Sequence, residues 1–419
     1  MSGIQTQEEI WDRGWAPSAK FICSACIDER QIAIALAEHA REDRFCDFCG
    51  APNAAEFDVL LTVFMMGVQH DYREANEEGL PWDGKEGGYQ GAKTWDTWDL
   101  IHDAYGDLFS VDGVAAEIYS CFEDVTWAVK DGWRLPWDEH LGDAWDAFVI
   151  HVRKTSRFHY SASRTSAPYD HTEMSAEQLL AAVASALSEL GLVDGASSGF
   201  RIYRAQEKLQ GSRKWGAKRL GTAPVSHARA NRFNPVGIPM FYGAENPGTA
   251  AAESGRTSRK RRFVVGEFAL QGEMAYLDLT NLPPAPSPFH PTLGHLRRDI
   301  LFLERFVREI SKPASAGDVA AEIEYGPTQV VAAYFLGKRA FGVEIVGIRY
   351  ASSLEGQPCW VVDIPNERCI DDASEALDPH KPYLRLDGIS ARRFDSAWSS
   401  LRTTISSRFK RPFRPPAAE

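Results

Sequence analysis

The chain has 419 residues, 44% hydrophobic and 25% charged, and a net charge of −12. Mean hydropathy is −0.32, and no apolar run is long enough to cross a bilayer, so a soluble chain without a membrane partner is expected. The acidic balance of 46 Lys and Arg against 58 Asp and Glu argues against nucleic acid as a partner, which needs a basic face.

In chain order, the N-terminal MSGIQTQEEIWDRGW lacks the basic start and apolar stretch of a secretory signal, so the expected compartment is the cytoplasm. Next come two CxxC pairs, Cys23 with Cys26 and Cys46 with Cys49, separated by nineteen residues. Four soft thiolates at this spacing suit a tetrahedral structural zinc. Four Cys ligands leave no open position for water or substrate. Gly50 supplies the small residue such a turn uses for left-handed backbone. Between the pairs, Asp28 to Ala40 reads as a helix, giving a zinc knuckle over residues 1–56.

A helical region is expected over 57–160, from FDVLLTVFMMGVQHDY, TWDTWDLIHDAYGDLF, GVAAEIYSCFEDVTWAV and LGDAWDAFVIHVRK. Nine of the twelve tryptophans precede residue 150, many followed by Asp; this reads as core Trp with solvated or capping Asp. Residues 161–175 read as a linker, within a Ser-, Thr- and Arg-rich stretch that begins at Thr155. Ser175 and Gln178 have capping-box spacing ahead of LLAAVASALSELGL. The catalytic region is then placed at 176–409, with a Pro- and Arg-rich tail, 410–419, expected to be disordered. No internal repeat is evident.

Five phrases mark the C-terminal half: IYRA, NRFNPVGIPMFYGAENPGTAAAE, EYGPTQVVAAYFL, GIRYASS and WVVDIP. Arg204 ends an expected strand, Phe200 to Arg204. Tyr242 ends another, Ile238 to Tyr242. Asn246 and Pro247 are a good cap and first-turn residue for a helix that carries Glu253. Ser352 follows the strand-like VEIVGIRY. Each residue alone reads as ordinary: an ion-paired Arg, a core Tyr, a solvated helix Glu, a turn Ser.

Together, in this order, the phrases resemble the RES domain, a bacterial toxin module, over roughly Phe200 to Ile364. Residue by residue, the resemblance implies an active site of Arg204, Tyr242, Glu253 and Ser352, with Ser353 as the alternative serine. Arg232 and Asn234 match the family's GRWNPPG phrase, although Asn231 and Phe233 replace its Gly and Trp, and Gln329 matches a second-half phrase. The resemblance also implies an α+β chain: a zinc-stapled helical domain followed by an ADP-ribosyltransferase-like mixed β-sheet domain. The zinc pairs and the Trp-Asp-rich region look like the N-terminal domain that precedes RES domains and HEPN ribonucleases.

The implied substrate is NAD, cleaved at the nicotinamide–ribose bond by hydrolysis or phosphorolysis. That chemistry needs a cation for the diphosphate, an aromatic ring and a carboxylate beside the ribose. Arginine suits the diphosphate because its planar fork gives paired hydrogen bonds. The catalytic set is then Arg204, Glu253 and Ser352, and the NAD-binding set Tyr242, Arg232, Asn234 and Gln329. Phosphate is a candidate acceptor, and an antitoxin or self-association a candidate partner. The alternatives are ADP-ribosyl transfer to a protein or nucleic acid, and a ribonuclease-associated role. For the latter, Arg134 with His140 and Arg153 with His159 have suitable spacing. Glu245, Glu322 and Glu324 read as bystanders, and the basic run Arg256 to Arg262 as a solvated loop or a lid over phosphates.

Overall fold

The computed structural model describes residues 14–111, 113–130, 135–156, 174–207, 214–255, 262–312, 318–337, 340–372, 374 and 381–393. The chain forms two compact units. The first comprises residues 1–145, 163–174 and 283–302, and the second 146–162, 175–282 and 303–419. The chain is α+β, helix-rich in its N-terminal half and built on a mixed sheet in its C-terminal half.

In the first unit, strands β1 (Phe21–Ile22), β2 (Arg41–Phe45) and β3 (Pro52–Glu56) form a small sheet in the order β1-β3-β2. Helix α1 (Arg30–Glu38) separates β1 from β2. It is shorter than the sequence suggests. Glu29 caps it by accepting from the Ile32 N–H at 2.8 Å, and Arg41–Phe45 leaves the helix to pair with β3. The apolar run Phe57–Asp71 forms α2 and buries Phe57, Leu60, Leu61, Phe64, Met65 and Val68.

Two expected helical stretches are partly β. Thr94–Asp96 is a strand (β5), and Thr126–Val129 another (β6). With β4 (Tyr72–Glu74) they form a sheet in the order β4-β6-β5. Helix α3 (Val114–Cys121) precedes β6. The physical reason is residue type: Thr126, Trp127 and Val129 form a β-branched and aromatic run, which suits a pleated surface better than a helix. Trp15, Trp127 and Trp145 are core, but Trp82 and Trp98 are 62% and 46% exposed, so the core reading holds for only some of these tryptophans. Helix α4 (Trp137–Lys154) follows.

Residues 283–302 belong to the first unit, an association the sequence does not signal. Phe289 stacks on Phe64 at 5.9 Å. A Cβ on Gly67 would lie 2.2 Å from the Phe289 ring, so the glycine makes this approach possible. Arg298 binds Asp71 through two bonds, 2.9 and 2.8 Å, and Asp138 at 3.0 Å.

In the second unit, which includes the end of α4, helix α5 (Ala176–Glu189) has its capping box of Ser175 and Gln178 present in full. Its sheet uses β7 (Val193–Ala196), β8 (Arg201–Glu207), β9 (Phe241–Ala244), β10 (Arg262–Gln271), β11 (Met274–Asp278), β12 (Ile345–Ala351), β13 (Pro358–Val362), β14 (Cys369–Ile370) and β15 (Tyr383–Arg393). The order is β14-β15-β10-β8-β9-β13-β12-β11-β7, and the sheet is mixed: β11–β12 and β14–β15 are parallel pairs. Helices α6 (Pro247–Gly255), α7 (Arg297–Ser311) and α8 (Asp318–Phe335) complete the unit, α7 beginning in the first. Ile202, Phe241, Phe268, Trp360 and Val362 are central to its core. Tyr242 lies near the start of its strand rather than at its end, because the segment from Pro235 to Met240 is loop.

Candidate active site

The sheet order places β8, β9, β13 and β12 side by side. That brings Arg204 and Tyr242, distant in sequence, to adjacent strands, with Ser352 just past the end of β12, on the far side of β13. On β8, Arg204 donates from Nη1 to the Tyr242 carbonyl at 3.1 Å, and its guanidinium stands 5.2 Å from the Phe241 ring. Its Nε is buried with no partner among the described residues. Burial pushes the guanidinium below its usual pKa, against the opposing influence of Cys369 and Tyr242.

Helix α6 starts where the sequence suggests. Asn246 Oδ1 accepts from the Thr249 N–H at 2.8 Å, and Pro247 occupies the first turn, where its missing N–H costs nothing. Ser254 Oγ anchors the helix to β8 by donating to the Ala205 carbonyl at 2.7 Å. Glu253 is thereby presented to Ser352, whose hydroxyl donates a short hydrogen bond to Glu253 Oε1. Ser352 is buried, and its Oγ also accepts from the N–H groups of Leu354 and Glu355, at 3.2 and 3.3 Å. Ser353 Oγ makes no such contact; of the two serines, Ser352 is the one joined to Glu253.

Arg232 is only 7% exposed. It donates to the Lys312 carbonyl at 3.4 Å, faces the Tyr350 ring at 5.4 Å and keeps a buried, unpartnered Nε. Asn234 and Gln329 have a different character. Asn234 Nδ2 donates to the carbonyls of Arg229, Pro235 and Ile238, at 3.0, 3.0 and 2.7 Å. Its Oδ1 accepts from the Tyr242 hydroxyl at 2.7 Å, and that hydroxyl accepts from the Phe233 N–H at 3.1 Å. Gln329 Nε2 donates to the carbonyls of Asn231 and Asn234, at 2.9 and 3.0 Å. The preceding Thr328 donates to the Arg232 carbonyl. These side chains bind the 229–238 loop to α8 and hold Tyr242. Burial pushes the Tyr242 phenol far up, despite the Phe233 bond and the nearby Arg232 and Arg204, so it stays a neutral donor.

Glu245 is an ion-pair partner. It takes two bonds from Arg349, 2.7 and 3.2 Å, and one from Trp360 Nε1 at 3.0 Å. Arg349 also donates to Asp278 Oδ2 at 2.8 Å. The bond to Glu245 is the main reason the Arg349 guanidinium is held above its usual pKa. Residues that the sequence reading missed include Thr249, Glu355, Thr328, Tyr350 and Arg349. Only Glu355 had a local signal, as a carboxylate three residues after Ser352.

The ribonuclease-type pairs gain no support from the geometry. Arg134 and His159 lie outside the described residues. Arg153 donates to the Glu324 carbonyl at 3.3 Å, and His140 is buried in α4 against Trp137. Of the basic run, Arg256 to Arg261 lie outside the described residues, and Arg262 begins β10. The linker from 161 to Glu173 and the 410–419 tail also lie outside them.

In the first unit, the sulfurs of Cys23, Cys26, Cys46 and Cys49 lie within 4.8 Å of one another. Cys23 to Cys26, Cys23 to Cys49 and Cys26 to Cys46 are 3.7, 3.4 and 3.6 Å apart. A tetrahedral ion bonded to sulfur at about 2.3 Å sets its ligands about 3.8 Å apart, so the cluster can hold a metal. A disulfide would bring two sulfurs to about 2.05 Å. Gly50 has φ +76°, the left-handed turn expected after Cys49. Burial acts to raise the Cys46 thiol, but main-chain hydrogen bonds at Cys23, Phe48 and Cys49 bring it down to about 7. The Cys23 and Cys26 thiols are instead pushed up, by burial and by the neighbouring thiols, so it takes a bound cation to hold all four as thiolates. Among the described residues, no helix is long and apolar enough to cross a membrane.

Family models match two segments: HEPN/RES N-terminal domain 1 over residues 39–166 and the RES domain over residues 201–386. Comparison with curated proteins and with solved structures gives no match.

Proposed function

For a chain that belongs to the RES family, with a HEPN/RES N-terminal domain ahead of its RES domain, we propose cleavage of NAD at the nicotinamide–ribose bond. At the family level the RES domain is a toxin-like, NAD-related enzyme module. The observation that carries the finer reading is the Ser352–Glu253 hydrogen bond, and the contact between Arg204 and Tyr242 on β8 and β9 supports it.

In this reading Arg204 and Arg232, each with a buried unpartnered Nε, bind the anionic diphosphate. The Tyr242 ring packs against the nicotinamide ribose, fixed by Asn234. Glu253 stabilises the positive charge that develops on the ribose as nicotinamide leaves. Ser352 fixes the Glu253 carboxylate in one orientation, so little reorganisation accompanies the reaction. Asn234 and Gln329 act through the loop they hold. The acceptor is water or phosphate.

The four cysteines hold a structural zinc that staples the first unit, a role that calls on all four ligands. The N-terminal region senses a trigger or restrains the toxin, with an antitoxin or a second copy as partner, in the cytoplasm.

The test is incubation of purified protein with NAD, with and without phosphate, following nicotinamide, ADP-ribose and ADP-ribose-1″-phosphate. Free products are expected, and their phosphate dependence identifies the acceptor. Label transferred from NAD to a macromolecule instead would replace this reading with ADP-ribosyl transfer.

A further inference from the structure

Ser352 opens a tight turn, in which the Gly356 N–H donates to the Ser352 carbonyl at 2.8 Å. Inside that turn lies a second carboxylate with no part in the chemistry so far. The Glu355 N–H donates to Ser352 Oγ at 3.3 Å, and the same hydroxyl donates to Glu253. Glu253 and the main chain of Glu355 therefore meet at one oxygen atom.

The Glu355 side chain is also tied to α6, the helix that carries Glu253. Thr249, one turn before Glu253, donates its hydroxyl to Glu355 Oε2. Residues four apart share a helix face, so Thr249 and Glu253 present Glu355 and Ser352 to the same side of α6. The bond to Oε2 orients the carboxylate, and Oε1 is buried with no partner among the described residues. A buried carboxylate oxygen without a donor is costly, so Oε1 calls for a hydrogen from a water or a bound ligand.

The surroundings agree. Burial pushes the Cys359 thiol up, Glu253 and Glu355 push it the same way, and Arg232 opposes them. Both carboxylates and the Arg232 cation are thus near enough to Cys359 to influence its thiol. Glu245, the other carboxylate nearby, is already ion-paired to Arg349.

Resting on the NAD-cleaving reading, we propose that Glu355 is a second catalytic carboxylate, the base that takes a proton from the acceptor as it attacks the ribose. Two carboxylates with separate duties are a recurrent solution for breaking glycosidic bonds. An acceptor water forms a bond from its oxygen to the anomeric carbon of the nicotinamide ribose as the carbon–nitrogen bond breaks. The bonding pair leaves with the nicotinamide nitrogen and discharges the pyridinium. One water proton passes to Glu355 Oε1 and then to solvent. NAD and water give ADP-ribose, nicotinamide and one proton. A phosphate oxygen in place of water loses its proton by the same route.

The test compares steady-state NAD cleavage by the full chain and by Glu355→Gln, Glu355→Asp and Thr249→Val, with thermal melting of each. Glutamine keeps the side-chain size and still accepts from Thr249, but it takes up no proton. Glu355→Gln should lower kcat by about 10²–10⁴-fold, leave KM for NAD nearly unchanged and remove the Glu355 contribution to the acid-side limb of the kcat–pH profile, leaving only that of Glu253. Glu355→Asp should keep that limb at reduced kcat, and decides the matter if the Gln variant does not fold. Thr249→Val removes the anchor but not the base, and should also keep the limb. Wild-type kcat and pH profile in Glu355→Gln would overturn the proposal, as would loss of the limb in Glu355→Asp or an equal kcat loss in Thr249→Val. Wild-type protein that leaves NAD intact would overturn the NAD reading and this proposal together. An active wild type indifferent to Glu355 overturns only this one.

Discussion

The cysteine cluster and the Glu253–Ser352 site are assembled in opposite ways. All four thiols lie between residues 23 and 49, and each CxxC turn brings its own two sulfurs together. The main-chain bonds Cys26 N–H to Cys23 carbonyl and Gly50 N–H to Cys46 carbonyl, 3.2 and 2.9 Å, are local. The candidate active site joins residues from 204 to 352, and strand order sets its geometry. The proposed metal knuckle would depend on local turns and its ion; the candidate active site depends on the whole sheet. Damage to each should therefore read out differently.

The largest effect is expected in the knuckle. Cys23→Ser, or chelation of the full chain, should abolish bound zinc and unfold the N-terminal unit, since structural zinc in small fingers contributes roughly 10–16 kcal/mol. Metal analysis alongside circular dichroism checks this. One zinc per chain with an unchanged melting profile in the variant would break the comparison. Glu253→Gln comes next: kcat for NAD cleavage should fall on the order of 10²–10³-fold, with the melting temperature preserved. Full activity in that variant would remove Glu253 from the site.

Asn234→Ala sharpens the contrast between groups that hold the site and groups that touch substrate. It removes the acceptor of the Tyr242 hydroxyl and the donor to three part-buried loop carbonyls, so a loss of about 1–3 kcal/mol is expected from groups left unsatisfied. Denaturant unfolding measures it. A variant with wild-type stability and only a raised KM would make Asn234 a substrate contact instead. Gly243→Ala tests the sheet more gently. Its Cβ would lie 2.3 Å from Ile202 Cγ2 and 2.9 Å from the Tyr203 carbonyl, and overpacking of this kind costs about 1–3 kcal/mol.

The smallest effect concerns pH and the first unit. Burial, then Glu77 and Glu123, raise the Glu74 carboxyl above its usual pKa. A raised folded-state pKa gives stability that is present below the unfolded value of 4.5 and lost as pH rises through the folded value. Glu74→Gln should therefore stabilise the N-terminal unit slightly at neutral pH and less at pH near 4, as read by melting at both. The opposite ordering would contradict the assigned direction.

The sequence by itself determined whatever rests on neighbouring residues. Paired thiols at CxxC spacing, the Ser175–Gln178 capping box and the Asn246-Pro247 start of α6 are local, so their residue types and spacing suffice. The ordered phrases carrying Arg204, Tyr242, Glu253 and Ser352 were legible as a family pattern for the same reason. Only the tertiary structure decided the rest. Thr94–Asp96 and Thr126–Val129 pair as strands with partners as far off in sequence as Tyr72 is from Val129, beyond any local window. The pairing of Ser352 rather than Ser353 with Glu253 follows from the turn that buries it against α6. Asn234 and Gln329 turn to backbone carbonyls because α8 packs on the 229–238 loop. Residues 283–302 join the first unit because Gly67 lets Phe289 in and Asp71 and Asp138 take Arg298. Each of these is a long-range contact, which neither periodicity nor motif spacing encodes.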